Sequence, residues 1–154
     1  MDKNVKLSAN ELFRKTTSRQ PVVPEGFTNL KEEKLRLRQE IERQFPSVNQ
    51  FAHRCYMSHS HIYDFFNKNK KISYDNMIII CIMLGYDIAK IESTLECFQL
   101  GTLYRRSERI RIIIQALSEA DQRGLKQDQR LDYVENRLLD CEMQTLVKNK
   151  CSKT

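Results

Sequence analysis

Residues 47–74 read SVNQFAHRCYMSHSHIYDFFNKNKKISY and carry the most definite structural pattern of the chain. Two short helical patterns lie within this stretch. The first follows Ser47, with Gln50 three residues later, and the second follows Ser58; both serines can accept hydrogen bonds from free backbone N–H groups. The spacing predicts helices over 48–55 and 59–67, with an inward apolar set of Phe51, Ala52, Met57, Ile62 and Phe65. Because Ala52 is small, the two helices can cross closely, and the stretch has the pattern of a helix-turn-helix unit.

The composition favours one helical domain with an extension. The chain has 154 residues, and all three prolines precede residue 47, so the rest of the chain lacks the strongest helix breaker and an all-α fold is expected. The five cysteines are odd in number and scattered, no signal peptide opens the sequence, and the longest apolar run, 77–84, is too short to cross a membrane. We therefore expect free thiols, no membrane association and a cytoplasmic location.

The net charge of +6 is unevenly distributed. Residues 1–71 carry 14 Lys and Arg against 8 Asp and Glu, a balance of +6, whereas residues 72–154 carry 12 of each and balance to zero. The whole excess therefore lies in the part that contains the helix-turn-helix pattern, as a surface that faces a polyanion requires. Basic tails and solvated helix faces give the same bias, so charge alone does not decide between these explanations.

Four segments are expected along the chain. Residues 1–28 contain two prolines and a glycine and are predicted to be a flexible N-terminal arm; 29–100 form the helix-turn-helix domain, 101–147 a C-terminal helical extension, and 148–154 a tail. Outside 47–67, helices are predicted from Asn29 up to Pro46, over 75–84, from Asp87 up to Gly101, and over 108–120 and 128–147. No internal repeat is apparent.

The helix-turn-helix interpretation assigns roles to individual residues. The first short helix would cross the phosphate backbone, and the second would lie in the major groove. His59, Ser60 and Tyr63 are near the start and on the outer face of the second helix, where their polar groups could contact base edges. The residues expected to hold phosphates without reading sequence are Asn49, Gln50, Lys68, Lys70 and Lys71.

These residues also resemble a known family. Phe51-Ala52, Tyr56-Met57-Ser58, Ile62 and Phe65 stand at intervals that resemble the Cro and phage-repressor, or XRE-like, type of helix-turn-helix. Residues 66–75 resemble that family's phosphate-contacting loop, and 78–86 resemble its fourth helix and the turn into the fifth. The resemblance covers about residues 30–100 and implies a lambda-repressor-like bundle that binds double-stranded DNA in transcriptional control. Residues 103–117 resemble a C-terminal extension of a mostly Firmicute bacterial subgroup.

Two features depart from the family pattern. Tyr56 occupies the turn position that usually holds Gly or Asn, and a bulky aromatic residue at positive φ costs free energy. The second helix has no Arg or Lys between His59 and Asn67, and it includes Asp64, so it offers no basic fork for guanine. Either the site is read through His, Ser and Tyr, or the fold is kept without DNA binding. The alternative function is a protein-interaction adaptor.

Neither a metal site nor an enzyme is expected. The pairs His53/Cys55 and His59/His61 are two residues apart, so on a helix they point roughly 200° apart and cannot chelate from one face. No glycine-rich phosphate loop or nucleophile elbow is present, and no paired carboxylates stand in an apolar setting. We expect no cofactor and no small-molecule ligand.

The C-terminal extension carries more apolar residues than a five-helix core needs. Ile110, Ile112, Ile113 and Ile114 nearly encircle their predicted helix, which indicates burial from several sides. Two explanations stay open. The extension either packs back on the domain or forms a homodimer interface, and a dimer would suit a DNA-binding protein that uses two half-sites.

Overall fold

The computed structural model describes residues 30–148, and within them every regular element is a helix. The predicted arm over 1–28 and the predicted tail after Lys148 lie outside the described residues. The helices are α1 (Leu30–Gln44), α2 (Val48–Arg54), α3 (His59–Asn67), α4 (Tyr74–Met83), α5 (Ile88–Cys97), α6 (Glu108–Gln122) and α7 (Asp128–Asp140). The predicted all-α class is confirmed.

Side-chain caps explain where five of the helices begin. Each cap accepts a hydrogen bond from the backbone N–H three residues later, which satisfies a donor that has no partner within the helix. The bonds run from Gln50 to Ser47 (3.1 Å), His61 to Ser58 (3.1 Å), Asn76 to Ser73 (3.1 Å), Lys90 to Asp87 (2.8 Å) and Ile110 to Ser107 (3.3 Å). These helix starts agree with the sequence-based prediction.

Helices α2 and α3 are joined by a tight turn in which Tyr56 takes φ 61°. The Met57 amide donates to the Ala52 carbonyl oxygen at 2.9 Å and closes this turn. All five residues of the predicted inward set are buried: Phe51, Ala52, Met57, Ile62 and Phe65. A non-glycine residue in the left-handed region costs roughly 1–2 kcal/mol, so packing of this set must offset the strain at Tyr56.

Helix α4 lies at the centre of the fold. Every residue from Met77 to Met83 is buried, as expected for a helix that is apolar on all sides. Helices α5 and α7 pack against α4, while α1 packs on α2 and α2 packs on α3. The buried faces of α2 and α3 therefore belong to one continuous core.

The C-terminal extension packs within the chain. Helix α6 lies against α7, and α7 lies against α4, so the extension closes over the core. Its buried apolar residues include Ile113, Ala116, Leu117, Val134 and Leu138. Packing on the domain, the first of the two explanations, is thus confirmed for these faces. The homodimer remains a prediction.

The last helix is shorter than predicted. It ends at Asp140 rather than Val147 because Glu142 takes φ 59°, which the right-handed helix does not allow. The chain then continues without helix and places Leu146 and Val147 in the core. Leu139 near the end of α7 is 60% exposed, and Cys141, just after the helix, is exposed as well.

Two segments of the fold share a local pattern at a helix end. Residues 88–103 and 131–146 each contain a helix, a residue at positive φ after it (Gln99 at 58°, Glu142 at 59°) and then a buried leucine. The Gln99 conformation also ends α5 at Cys97, before the predicted end at Gly101. Four positions of the two segments are identical: Glu92/Glu135, Leu95/Leu138, Thr102/Thr145 and Leu103/Leu146.

Three arginines form hydrogen bonds or ion pairs that connect the C-terminal extension to α2 and α4. Arg130, 2% exposed, donates to the carbonyl oxygens of Ile82 (2.9 Å) and Tyr86 (2.7 Å), and to Asp121. Arg109 holds Asp75 at the start of α4 through two hydrogen bonds of 3.1 and 3.0 Å. Arg54, at the end of α2, pairs with Asp128 at 3.0 Å. Helices α2 and α4 are therefore tied to the extension at defined points.

Candidate nucleic-acid interface

Helix α3 has one buried and one exposed face. Ile62 and Phe65 point into the core, while His59, Ser60 and Tyr63 are exposed, and Tyr63 is 48% accessible. With 3.6 residues per turn, the three exposed residues fall within about 100° of one another around the helix. The structure thus brings the three residues predicted to contact bases onto one outward surface.

The His59 side chain makes two contacts, one through a ring nitrogen and one through the face of the ring. Its Nδ1 atom contacts Oδ1 of Asn49 in α2, and its ring stacks on Tyr63 with centroids 6.0 Å apart. When Nδ1–H donates to Asn49, the neutral ring leaves Nε2 as an acceptor, and only the protonated ring can donate from both nitrogens. Nε2 of the neutral ring could therefore accept from an amino group such as adenine N6 or cytosine N4, whereas only the protonated ring could donate to guanine.

Asn49 and Gln50 are exposed in the first turn of α2. The backbone N–H of Gln50 donates to the hydroxyl oxygen of the capping Ser47. The side chain of Asn49, in contrast, contacts His59. Of the two residues predicted to hold phosphates here, Asn49 is therefore committed through its carbonyl oxygen and retains its NH₂ group for a ligand. Its contact with His59 also fixes the start of α2 relative to the start of α3.

Three exposed lysines occupy the loop between α3 and α4: Lys68, Lys70 and Lys71. Lys68 lies 3.7 Å from Asp64, so the one carboxylate of α3 is partly neutralised on the helix itself. Within residues 30–148, no ion pair involves Lys70 or Lys71, and both ammonium groups face solvent. The loop is therefore a positively charged edge beside the exposed face of α3.

A groove of about 490 Å³ runs between α1, α2 and α3. His59 and Tyr63 line it together with the apolar residues Val48, Ile62 and Phe66, and Arg38 enters from α1. Sequence reasoning missed Arg38, because alternating charges on α1 look like a solvated helix face. Its position one residue after buried Leu37 and three before buried Ile41 is the signal that places it at the rim of the core.

The two histidines of α3 contact different partners. His59 faces Asn49, whereas the Nε2 atom of His61 lies 3.3 Å from the Asn76 side-chain nitrogen. Within residues 30–148, no group of three His, Cys, Asp or Glu side chains is placed to hold a metal ion. Burial raises the pKa of the Cys55 thiol far above its ordinary value, so this thiol is a poor nucleophile despite the neighbouring histidines.

The chain matches no protein-family model, no curated protein and no solved structure. Within residues 30–148, none of the helices has the length and apolar composition needed to cross a bilayer. Function must therefore be inferred from the residues of this chain and from the surface that they form.

Proposed function

We propose that this chain binds double-stranded DNA in a sequence-specific manner and regulates transcription, with α2 and α3 acting as a helix-turn-helix. One observation carries the proposal: His59, Ser60 and Tyr63 form an outward face of α3 directly beside the exposed lysine loop. The resemblance of residues 30–100 to the Cro and phage-repressor type supports the same function. On this proposal the chain is an XRE-like, lambda-repressor-like bundle that acts in the cytoplasm.

The roles follow from donor chemistry and position. Helix α3 enters the major groove, where Ser60 can donate or accept and Tyr63 offers a hydroxyl and an aromatic edge to the bases. Helix α2 crosses the backbone, and the side chains of Asn49 and Gln50 hold phosphates there. Lys70 and Lys71 hold phosphates on the other side of α3, which fixes the register without reading sequence.

The C-terminal helices leave this surface accessible. Within residues 30–148, α7 packs on α4 and α6 packs on α7, and none of His59, Ser60 and Tyr63 is buried. Burial of the α3 face beneath the extension would have opposed DNA binding. The α3 face is exposed instead, and the ion pairs of Arg54 and Arg109 connect the neighbouring helices α2 and α4 to the extension.

A homodimer is the assembly proposed for this function. A protein that reads two half-sites needs two copies of α3 about one DNA turn, roughly 34 Å, apart. Leu139 on α7 is 60% exposed and is a candidate contact between two copies through the C-terminal helices. Light scattering coupled to size exclusion measures the mass directly, and a Leu139→Glu variant that stays dimeric would exclude this contact.

The alternative function, that of a protein-interaction adaptor, is favoured by a separate observation. The groove between α1, α2 and α3 contains Val48, Ile62 and Phe66, and helix α3 contributes no Arg or Lys. An apolar groove beside a helix can hold a helix of a protein partner instead of DNA. The adaptor and the DNA-binding protein differ in how their affinity responds to salt.

The decisive experiment is a salt titration of binding to a mixed-sequence duplex of about 30 base pairs. A DNA-binding protein loses affinity with a log–log slope of about 0.9 per phosphate neutralised. Lys70→Ala/Lys71→Ala should lower that slope by about 1.8 and weaken binding to all sequences. The control is Lys126→Ala, which removes an exposed lysine from the turn between α6 and α7 and should leave the slope unchanged.

Sequence readout is tested separately by selecting bound duplexes from a random pool. His59→Ala and Tyr63→Ala should broaden the selected sequences while leaving the salt slope close to that of the wild type, because these side chains contact bases rather than phosphates. If the wild type binds no duplex at low salt, or if none of these variants changes binding, the adaptor replaces DNA binding as the proposed function.

A further inference from the structure

A second cavity adjoins the groove beside α3. It has a volume of about 290 Å³ and lies between the first half of α1 and the end of α3. The two cavities share Arg38, Phe66 and Asn67 in their linings, so together they follow α3 along the side that faces α1. We name the second cavity, with its lining residues, the α1–α3 groove: Leu30, Lys31, Lys34, Leu35, Arg38, Phe66, Asn67 and Asn69.

The lining of the α1–α3 groove contains three cations and no carboxylate. Lys31, Lys34 and Arg38 are spaced three and four residues apart, which puts them on one side of α1. With a rise of 1.5 Å per residue, they extend over about 10 Å of the helix axis. The stripe of positive charge therefore follows the groove along its length.

Ion pairs distinguish the two lysines of the groove from the arginines of α1. Arg36 pairs with Glu33 and Arg43 pairs with Glu40, so their charges are matched within the helix. Arg38 lies 3.5 Å from Glu42 in a pair exposed on both sides, and such pairs contribute only about 0–1 kcal/mol. Within residues 30–148, neither lysine of the groove has an ion-pair partner.

Lys34 is held in place by the core beneath it. Its Nζ atom lies 4.8 Å from the centroid of the Phe65 ring, and burial lowers the pKa of its ammonium group. A partly buried cation without a carboxylate is stabilised when an anion binds beside it. Because the ammonium group of Lys34 already lies over the Phe65 ring, less side-chain entropy remains to be lost on binding.

We infer that the α1–α3 groove is a phosphate-binding surface that holds two or three successive phosphates of one DNA strand on Lys31, Lys34 and Arg38. The assignment rests on the proposed function and extends its phosphate contacts from the α3–α4 loop to α1. About 10 Å of α1 is longer than the rise of about 3.4 Å per phosphate along one strand, so more than one phosphate can lie against it. Asn69 joins the groove to the loop, since it stands between Lys68 and Lys70.

The test compares two double variants that remove the same charge from different places. Lys31→Ala/Lys34→Gln removes two lysines from the groove, and Lys90→Ala/Lys126→Ala removes two exposed lysines from the other half of the chain. With the mixed-sequence duplex, the groove variant should lower the salt slope by about 1.8, and the control should leave it close to that of the wild type. Thermal unfolding by circular dichroism checks that both variants are folded.

Each outcome has a separate meaning. If the wild type binds no duplex, the proposed function fails and the groove assignment fails with it. If Lys70→Ala/Lys71→Ala lowers the slope but the groove variant behaves like its control, DNA binding stands and the groove assignment is wrong. Lys31→Glu covers the case in which substitution of Lys34 unfolds the protein, because Lys31 is exposed; unchanged DNA affinity in this variant would also refute the groove assignment.

Discussion

Replacing Arg130 with alanine should remove about 3–5 kcal/mol from the free energy of unfolding. Arg130 is 2% exposed and donates to two backbone carbonyl oxygens, those of Ile82 at 2.9 Å and Tyr86 at 2.7 Å. Ile82 lies in the last turn of α4, and its carbonyl oxygen accepts from the Gly85 backbone N–H at 3.1 Å as well as from Arg130. Arg130 therefore caps the central helix from a different part of the chain.

The magnitude follows from the bonds that are lost. Hydrogen bonds to a charged group contribute about 1.5–3 kcal/mol each, so the two bonds to carbonyl oxygens together give about 3–6 kcal/mol. The pair with Asp121 adds little, because the Asp121 side chain is 47% exposed and solvent screens it. Relaxation and water entry bring the expected loss to about 3–5 kcal/mol, a large part of the roughly 5–15 kcal/mol of a typical domain.

Urea unfolding followed by circular dichroism measures this loss, provided that the slope against urea concentration stays constant. Arg130→Met keeps much of the volume without the donors, and it should lose nearly as much stability as Arg130→Ala. Lys126→Ala, an exposed substitution nearby, should change stability by less than about 0.5 kcal/mol. A loss below about 1 kcal/mol for both Arg130 variants would refute the capping role.

Three further predictions concern backbone strain, acid stability and thiol chemistry. Because Gln99 takes φ 58°, Gln99→Gly should raise the free energy of unfolding by about 0.5–1 kcal/mol and Gln99→Val should lower it by about 1–2 kcal/mol, measured in urea. The hydrogen bond from Arg105 lowers the pKa of Glu92 below its ordinary value of 4.5, so its stabilisation is present above that pH and is lost as the pH falls through the lowered pKa. Glu92→Gln should therefore lose stability at neutral pH and show a smaller acid-side decline, a difference that unfolding curves across the acid range would detect. Burial raises the pKa of Cys81 to about 12, so a thiol reagent should modify exposed Cys141 at once and Cys81 only after unfolding, as read by mass spectrometry.

The local features of the fold were predictable where one residue type dictates the backbone. Ser58 and Asp87 cap helices because a short polar side chain reaches the free N–H groups, and this pattern is visible in the sequence. The turn before α3 was equally visible, although Tyr56 counted as a departure from the family pattern and only the structure shows that it takes φ 61°. Of the candidate interface, His59 and Tyr63 were found in the same way, from their spacing on the outer face of α3.

The features that sequence reasoning missed depend on distant partners. Arg130 and Glu135 look like ordinary charges on a surface helix, but both are buried; the Glu135 carboxylate accepts from the amides of Leu146 (2.8 Å) and Val147 (3.1 Å). The periodicity of α7 does not reveal the partners of these two residues, because the partners lie outside that helix. The early end of α7 was also missed, because position 142 is a glutamate and not the glycine that usually indicates a positive φ at a helix end.

The partners of the basic residues give the charge asymmetry of the sequence a structural meaning. In the second half of the chain, Arg105, Arg109, Arg130 and Arg137 each pair with a carboxylate of that same half, so these charges act as internal fastenings. In the first half, the lysines of the α1–α3 groove and Lys70 and Lys71 have no ion-pair partner within residues 30–148. Screening limits the reach of each charge to about 8–10 Å, so a polyanion is attracted mainly where several unpaired cations lie close together. The two sets meet near Asn69, just after the end of α3, so a strand that contacts both passes close to the end of the helix proposed to read the bases.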